Sequence, residues 1–307
     1  MVKRSRCWRD RQRACHPPVR LPASRPMNGH LPARMLRCCA TLAVALAGAA
    51  SAQDAVLAAP KAPRVWIFNG TPGDDEHHAF YESNLTKLRH AFTERLGVSA
   101  ANLTVLYGPK SAGYDGVCTR ENVLAEIGKA VGAAAADQPV WLIFEGHSNP
   151  TAAGANFNLA GPDVTSRELH DALAAVRKDA QFVIVFTTSS SGRFLHWIAG
   201  PGRLCITATL DSEEDNETEF PHVLASVLAE PASDADRDGK LSLLEIFNAC
   251  NGGVKAVYER GGFMQRERAM LDGNGDRRAT QRPAREDAEP AAKVAFTIAV
   301  PHKKSFD

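Results

Sequence analysis

The sequence has no surplus of charge of either sign: Lys+Arg number 36 against 35 Asp+Glu, a formal net charge of +1. Nothing therefore steers the chain as a whole toward nucleic acid or an anionic membrane, and its partners must be sought at particular sites. Long hydrophobic runs are missing as well. No segment reaches the ~18 uninterrupted apolar residues of a spanning helix, which argues against a permanent membrane anchor. Cysteine is scarce: of the seven, Cys7, Cys15, Cys38 and Cys39 lie in the first 52 residues, leaving Cys118, Cys205 and Cys250. One bridge at most is expected, Cys118 to Cys250, with Cys205 packed as a small apolar side chain. Internal repeats and long low-complexity stretches are also absent. What is present is a 44% hydrophobic composition, enough for one large core or two small ones, and it excludes a disordered chain.

The opening residues, up to Arg34, are rich in Arg and Pro and show no periodic apolar face. From Met35 a short basic start leads into an apolar run and then Ala50-Ser51-Ala52, the order of a secretory signal peptide over 35–52. Translation is expected to start at Met35 or Met27. Residues 1–52 are expected to be lost on export, which makes the mature protein periplasmic or secreted, and 53–63 reads as a Pro-containing linker.

Across 64–280, short apolar runs alternate with longer amphipathic segments. The strand candidates are Val65–Asn69, Leu103–Gly108, Val140–Phe144, Phe182–Phe186 and Leu204–Thr209; apolar on both faces, they suit strands buried in a parallel sheet. Between them, Tyr81, Leu85, Leu88, Phe92 and Leu96 form one helical stripe, and Val123, Leu124, Ile127 and Val131 another. A third helix opens with the capping box Thr165-Ser166-Arg167-Glu168 and runs through Leu169, Leu173 and Val176. The order predicts an α/β fold, a three-layer αβα sandwich on a mostly parallel sheet, with ligands bound outside the carboxyl ends of the strands. The chain after Asp276 reads as loosely organised, and in the tail 281–307 a final strand over 294–300 would add an edge.

The sharpest local signal is DADRDGKLSLLE. Asp234, Asp236 and Asp238 stand at loop positions 1, 3 and 5, Gly239 at 6, Lys240 at 7, Ser242 at 9 and Glu245 at 12, so every ligand position of an EF-hand-type Ca2+ loop is filled. A hard cation wants six to eight oxygens; the alternating carboxylates converge, the glycine turns sharply, Lys240 offers a carbonyl and Glu245 both its oxygens. Leu241 is expected to pack inward. Pro221–Ser233 reads as an entering helix and Leu241–Cys250 as an exiting one. The bland reading is an acidic surface turn. A second stretch, LDGNGD, offers Asp272, Asn274 and Asp276, but Arg277 replaces the turning glycine and Pro283 the final acid, so it reads as a turn.

Two strand ends could carry chemistry. His147 stands just past the third strand, and Thr187, Thr188, Ser189, Ser190 and Ser191 just past the fourth. A His near a Ser suits nucleophilic catalysis, although Ser/Thr turns are commonly helix caps. Asp74, Asp75, Glu76, His77 and His78 follow the first strand and read either as transition-metal ligands or as an acidic helix start. Cys118 reads as a displaced thiol nucleophile or simply as the residue before the N-cap Thr119. The acidic run Asp211–Glu219 reads as the lining of a pocket for a basic group or as a solvated loop.

Taken in order, NGTPGDDEH after the first strand, EGHSN after the third, SSSG after the fourth and ITAT on the fifth resemble the caspase-like peptidases, in particular the legumain branch and its bacterial relatives, over about residues 64 to 276. In that family a strand ends in a catalytic His, usually followed by Gly, and the next ends in a Cys nucleophile. The resemblance implies His147 as the catalytic His, Ser189 in place of the Cys, and backbone N–H groups of Ser148 and Ser189 as oxyanion donors. A thiol needs only an imidazole partner, whereas a hydroxyl needs a strong base with an orienting group; Glu145 is the nearby candidate. The resemblance thus implies an impaired peptidase homologue that binds a peptide or protein ligand. The alternatives are a working hydrolase using Ser189 (or Thr188, one residue earlier) with His147, and a purely structural calcium module.

Overall fold

The structure, a computed structural model, describes residues 61–108, 112–210 and 217–299. The leader 1–52, its signal peptide, the linker up to residue 60, the acidic residues 211–216 and the end of the tail lie outside the described residues.

Five parallel strands form the centre of the main sheet: β1 (Arg64–Asn69), β2 (Leu103–Tyr107), β4 (Val140–Glu145), β8 (Phe182–Phe186) and β9 (Arg203–Thr207). These are the five apolar runs. A two-residue strand, β3 (Gly116–Val117), extends the β2 edge, and β11 (Met270–Asp272) closes the other edge antiparallel to β9, in the order β11-β9-β8-β4-β1-β2-β3. A small antiparallel meander, β5 (Ser148–Thr151), β6 (Gly154–Phe157) and β7 (Val164–Thr165), follows directly on β4.

Alternation along β1 shows why both faces are covered. Val65 and Ile67 enter one core with Tyr81, Leu85 and Leu88 of helix α1 (Asp75–His90), while Trp66 and Phe68 enter another with Val123 and Ile127 of α2 (Arg120–Ala133) and Leu169 of α3 (Ser166–Ala172). The first core is completed by α5 (Phe220–Ala229) and α6 (Leu243–Arg260), the second by the short α4 (Leu195–Ile198). The α/β sandwich is therefore three layers deep. Each fully buried Val, Leu, Ile or Phe contributes about 1.5–3 kcal/mol of transfer free energy, set against the entropy of ordering it. The stripe of α1 runs on through one π turn, Ala91–Arg95, which keeps Phe92 and Leu96 in the core. The capping box at Thr165 is formed, and α3 ends at Ala172, earlier than the apolar spacing suggested.

Phe144 and Phe186, register partners on β4 and β8, stack with ring centroids 4.1 Å apart, and Phe194 stacks on Phe186 at 4.3 Å. This aromatic column lies at the ends of the two strands whose tips carry His147 and Ser189. It holds those tips in register.

Three expectations change. The tail is ordered through α7 (Arg285–Lys293) and β12 (Ala295–Thr297), and β12 does not extend the main sheet: it pairs antiparallel with β10 (Lys240–Ser242), part of the acidic loop. Phe296 explains the docking, since it is fully buried 4.4 Å from the Trp141 ring. The Cys118 to Cys250 bridge is not formed, because Cys118 lies in the core on one face of the sheet and Cys250 in the core on the other. Among the described residues no helix is long and apolar enough to cross a membrane.

Candidate functional site

The site lies beyond the carboxyl ends of β1, β4 and β8. Gly146 turns the chain out of β4 with φ of +130°, a conformation that favours glycine, and a Cβ there would stand 3.1 Å from the Gly70 nitrogen. Glu145 is buried beneath α1, 1% exposed, and accepts a hydrogen bond from Asn84 Nδ2 at 2.5 Å, whereas His147, past the turn, meets His77 and Tyr81 of the same helix. Burial pushes its carboxyl up to about 7, against the opposing effect of the Asn84 bond. It is a structural acid and not the partner of His147.

The carboxylate that faces His147 is Glu217, whose Oε1 lies 3.7 Å from His147 Nε2 and 2.7 Å from His77 Nε2. The two imidazoles meet edge to face with centroids 5.2 Å apart. Glu217 is anchored on its C-terminal side. Thr218 Oγ1 donates to the Thr187 carbonyl at the tip of β8, and the Glu219 N–H donates to buried Glu267 at 2.7 Å. His77 sits in the first turn of α1, where Asp74 is the N-cap: the Asp74 carboxylate accepts from the His77 N–H at 2.9 Å and meets His77 Nδ1 at 2.5 Å. The helix-start reading of Asp74–His78 therefore holds, yet one of its histidines also reaches His147. His78 turns away to the Tyr107 hydroxyl, 2.6 Å from its Nδ1.

The electrostatics separate the two imidazoles. Burial works against a charged His77, but the Asp74 carboxylate and Glu217 outweigh it and hold its pKa above the ordinary histidine value. Burial dominates at His147 and lowers its pKa; Glu217 pulls the other way, and nearby His77 adds to the lowering. Tyr81, its ring 6.1 Å from that of His147, keeps its proton more firmly than a free tyrosine because it is buried.

Ser189 is almost fully buried, and its hydroxyl donates to the Ser148 carbonyl at 3.0 Å. Ser148 returns the contact, its Oγ donating to the Ser189 carbonyl at 2.5 Å and lying 2.5 Å from Thr188 Oγ1. One hydroxyl proton cannot serve two acceptors, so Thr188 supplies the proton of the second contact. The tips of β4 and β8 are thus brought together, as the strand order requires. Ser190 adopts a left-handed φ of 51°, and Ser191 Oγ accepts from the Thr209 N–H at 3.0 Å, which ties the turn to the end of β9.

The sequence matches no family model and no curated protein. Among solved structures the chain is similar to the Drosophila initiator caspase Dronc, at 14% identity over 72% of this chain and 82% of that one, with a TM-score of 0.48. It is also similar to a protein of Geobacter sulfurreducens at 12% identity, over 78% of this chain and all but 1% of the other, since 99% is covered, with a TM-score of 0.47.

The acidic loop forms a second centre. Asp234, Asp236 and Glu245 bring carboxylate oxygens within 4.8 Å of one another. Asp234 Oδ2 accepts from the Gly239 N–H at 3.2 Å, Asp236 from that of Asp238 at 3.1 Å and Asp238 from that of Lys240 at 2.8 Å. Arg237 and Gly239 both adopt positive φ, and Leu241 is fully buried, as its position in the loop predicted. Ser242 caps α6 in a reciprocal capping box with Glu245. The LDGNGD stretch repeats this hydrogen-bonding order. Asp272 accepts from the N–H of Arg277 at 2.8 Å, Asn274 from that of Asp276 at 2.9 Å and Asp276 from that of Arg278 at 2.8 Å. Arg277 takes the positive φ, 70°, that a glycine would have taken. Cys118 is buried with its thiol pushed up by burial, and Thr119 caps α2, so the thiol is no nucleophile.

The DDEHH cluster and the acidic run after the fifth strand are legible in the sequence as separate features. That Glu217 and His77 meet His147 is not, because the three are joined only through the packing of α1 and α5 on the sheet.

Proposed function

We propose that this chain is an exported homologue of the caspase-like peptidases, impaired in catalysis, which binds an extended peptide at the strand tips carrying His147 and Ser189. The observation that carries this reading is the Ser189 hydroxyl, whose proton is directed at the Ser148 carbonyl, 3.0 Å away, while His147 Nε2 faces Glu217. A serine becomes nucleophilic only when a base takes that proton, and a base must be within hydrogen-bond reach of it. The order His147 after β4 and Ser189 after β8 supports the family reading, and the order of basic start, apolar run and Ala50-Ser51-Ala52 supports export to the periplasm or medium.

The same reading gives the loop 234–245 a calcium ion. Asp234 Oδ1 is buried without a hydrogen-bond partner, an oxygen that a hard cation would satisfy, and Asp236 and Glu245 stand beside it. Asp238, the Lys240 carbonyl and Ser242 would complete the shell. The ion would brace the loop between α5 and α6.

The test compares peptide cleavage and alkylation by iodoacetamide in wild type, Ser189→Cys, and Ser189→Cys with His147→Ala. Wild type is expected not to cleave. The new thiol is expected to alkylate faster than free cysteine, and the gain to vanish without His147. Wild-type cleavage abolished by Ser189→Ala would overturn the reading in favour of a serine hydrolase. A thiol no more reactive than free cysteine would mean that the two tips form no site.

A further inference from the structure

His77, His147 and Glu217 arrive from three separate stretches: the first turn of α1, the turn after β4 and the approach to α5. Each brings one donor atom, and the three lie within 4.8 Å of one another. Glu217 Oε1 is 2.7 Å from His77 Nε2 and 3.7 Å from His147 Nε2. Two donors sharing a tetrahedral zinc at ~2.0–2.2 Å stand roughly 3.3 Å apart, so the two distances bracket the spacing of a bound pair.

The remainder of each imidazole is held as a ligand would be. His77 Nδ1 lies 2.5 Å from the Asp74 carboxylate, and the His147 ring lies against the backbone at Pro72. Such outer partners orient a metal-bound imidazole and leave the opposite nitrogen to the ion. Both rings are half-buried and Glu217 is 38% exposed, so the donors are shaped by the fold yet open to an entering ion.

We propose that His77 Nε2, His147 Nε2 and Glu217 Oε1 form a binding site for a divalent transition metal of the zinc class, with its fourth position left to water. Two imidazoles and one carboxylate suit that class, whereas calcium and magnesium take oxygen donors throughout. The site is distinct from the acidic loop 234–245, which offers only oxygen. It is also independent of any role of Ser189, since no nucleophile enters it. Without metal, Glu217 serves the two histidines as an ion-pair partner, and metal binding replaces that contact.

The test is a titration of chelator-treated and dialysed protein with Co2+ and then Zn2+, in excess calcium so that the acidic loop is occupied. A single equivalent of Co2+ is expected to give the intense visible bands of tetrahedral coordination, and Zn2+ to bleach them. His77→Ala, His147→Ala and Glu217→Gln should each weaken zinc binding by more than about a hundredfold. Asp74→Asn, which removes only the outer partner, should weaken it about tenfold or somewhat more. Should a histidine variant fail to fold by circular dichroism, Glu217→Gln and Asp74→Asn decide the matter at exposed positions. Absence of a tetrahedral Co2+ spectrum, or zinc affinity unchanged in Glu217→Gln, would overturn the proposal. Neither result depends on peptidase activity, so the site and the peptidase-homologue reading can fail separately.

Discussion

The Glu217 carboxylate lies 2.7 Å from His77 Nε2, and Asp74 closes on the other ring nitrogen at 2.5 Å, so this imidazole sits between two acids. Its pKa is raised for that reason, despite burial. Replacing Glu217 by Gln in chelator-treated protein should lower the pKa of His77, and that of His147 further below its ordinary value, because Glu217 favours the charged form of both. Titration of the imidazole carbon-bound protons by NMR reads both. Unchanged values in the variant would mean that Glu217 does not stand between the two rings in solution.

Glu145 ties stability to pH. The folded chain keeps its proton up to about 7, whereas an unfolded Glu loses it near ~4.3. Between those values the native state binds more protons, so stability is full below the lower value and falls as pH rises through the upper one. The loss from this one group is of order 3 kcal/mol. Buried Glu267, pushed up to about 8, adds to the decline in the same direction and extends its upper end. Urea unfolding of Glu145→Gln should show a shallower fall from pH 5 to 8 than wild type. Parallel curves would show Glu145 to be ionised or solvated in the folded chain.

Calcium should raise the melting temperature. At about a hundred times Kd, one bound ion adds ~2.7 kcal/mol, and extracellular loops of this type bind in the range of about 10⁻⁴ to 10⁻³ M. Asp236→Ala should abolish the difference between calcium and chelator. Glu245→Ala should abolish it too and in addition melt earlier in chelator, by the equivalent of about 1 kcal/mol, because Glu245 also closes the capping box with Ser242. Equal wild-type melting in both conditions would count against calcium.

All three cysteines of the described residues should be free and shielded. Thiol reagents are expected to find Cys118, Cys205 and Cys250 unreactive in the native protein and to titrate all of them after unfolding without reductant. Recovery of a Cys118–Cys250 cross-linked peptide by mass spectrometry would contradict the placement of those residues on opposite faces of the sheet.

Local chemistry alone determined much of this protein. Five runs apolar on both faces can be buried only between two helical layers, and they became the five parallel strands. Thr119, Thr165 and Ser242 became helix caps because their hydroxyls accept from backbone N–H groups that have no partner inside the helix. The Asp-x-Asp-x-Asp-Gly spacing sufficed to gather carboxylates, since those residues are neighbours in one turn. Tertiary structure decided what distant segments meet. Closeness in sequence made Glu145 the candidate partner of His147, but Glu145 is held by Asn84 beneath α1 while His147, past the positive-φ turn at Gly146, meets Glu217, His77 and Tyr81. Whether Phe296 would lie against an edge or against Trp141 depended on the room left between Phe92 and the sheet, which no short stretch records. The meeting of His77, His147 and Glu217 has the same origin. Each donor is placed by a different element, and only the packing of α1 and α5 on a common face brings the three within reach of one ion.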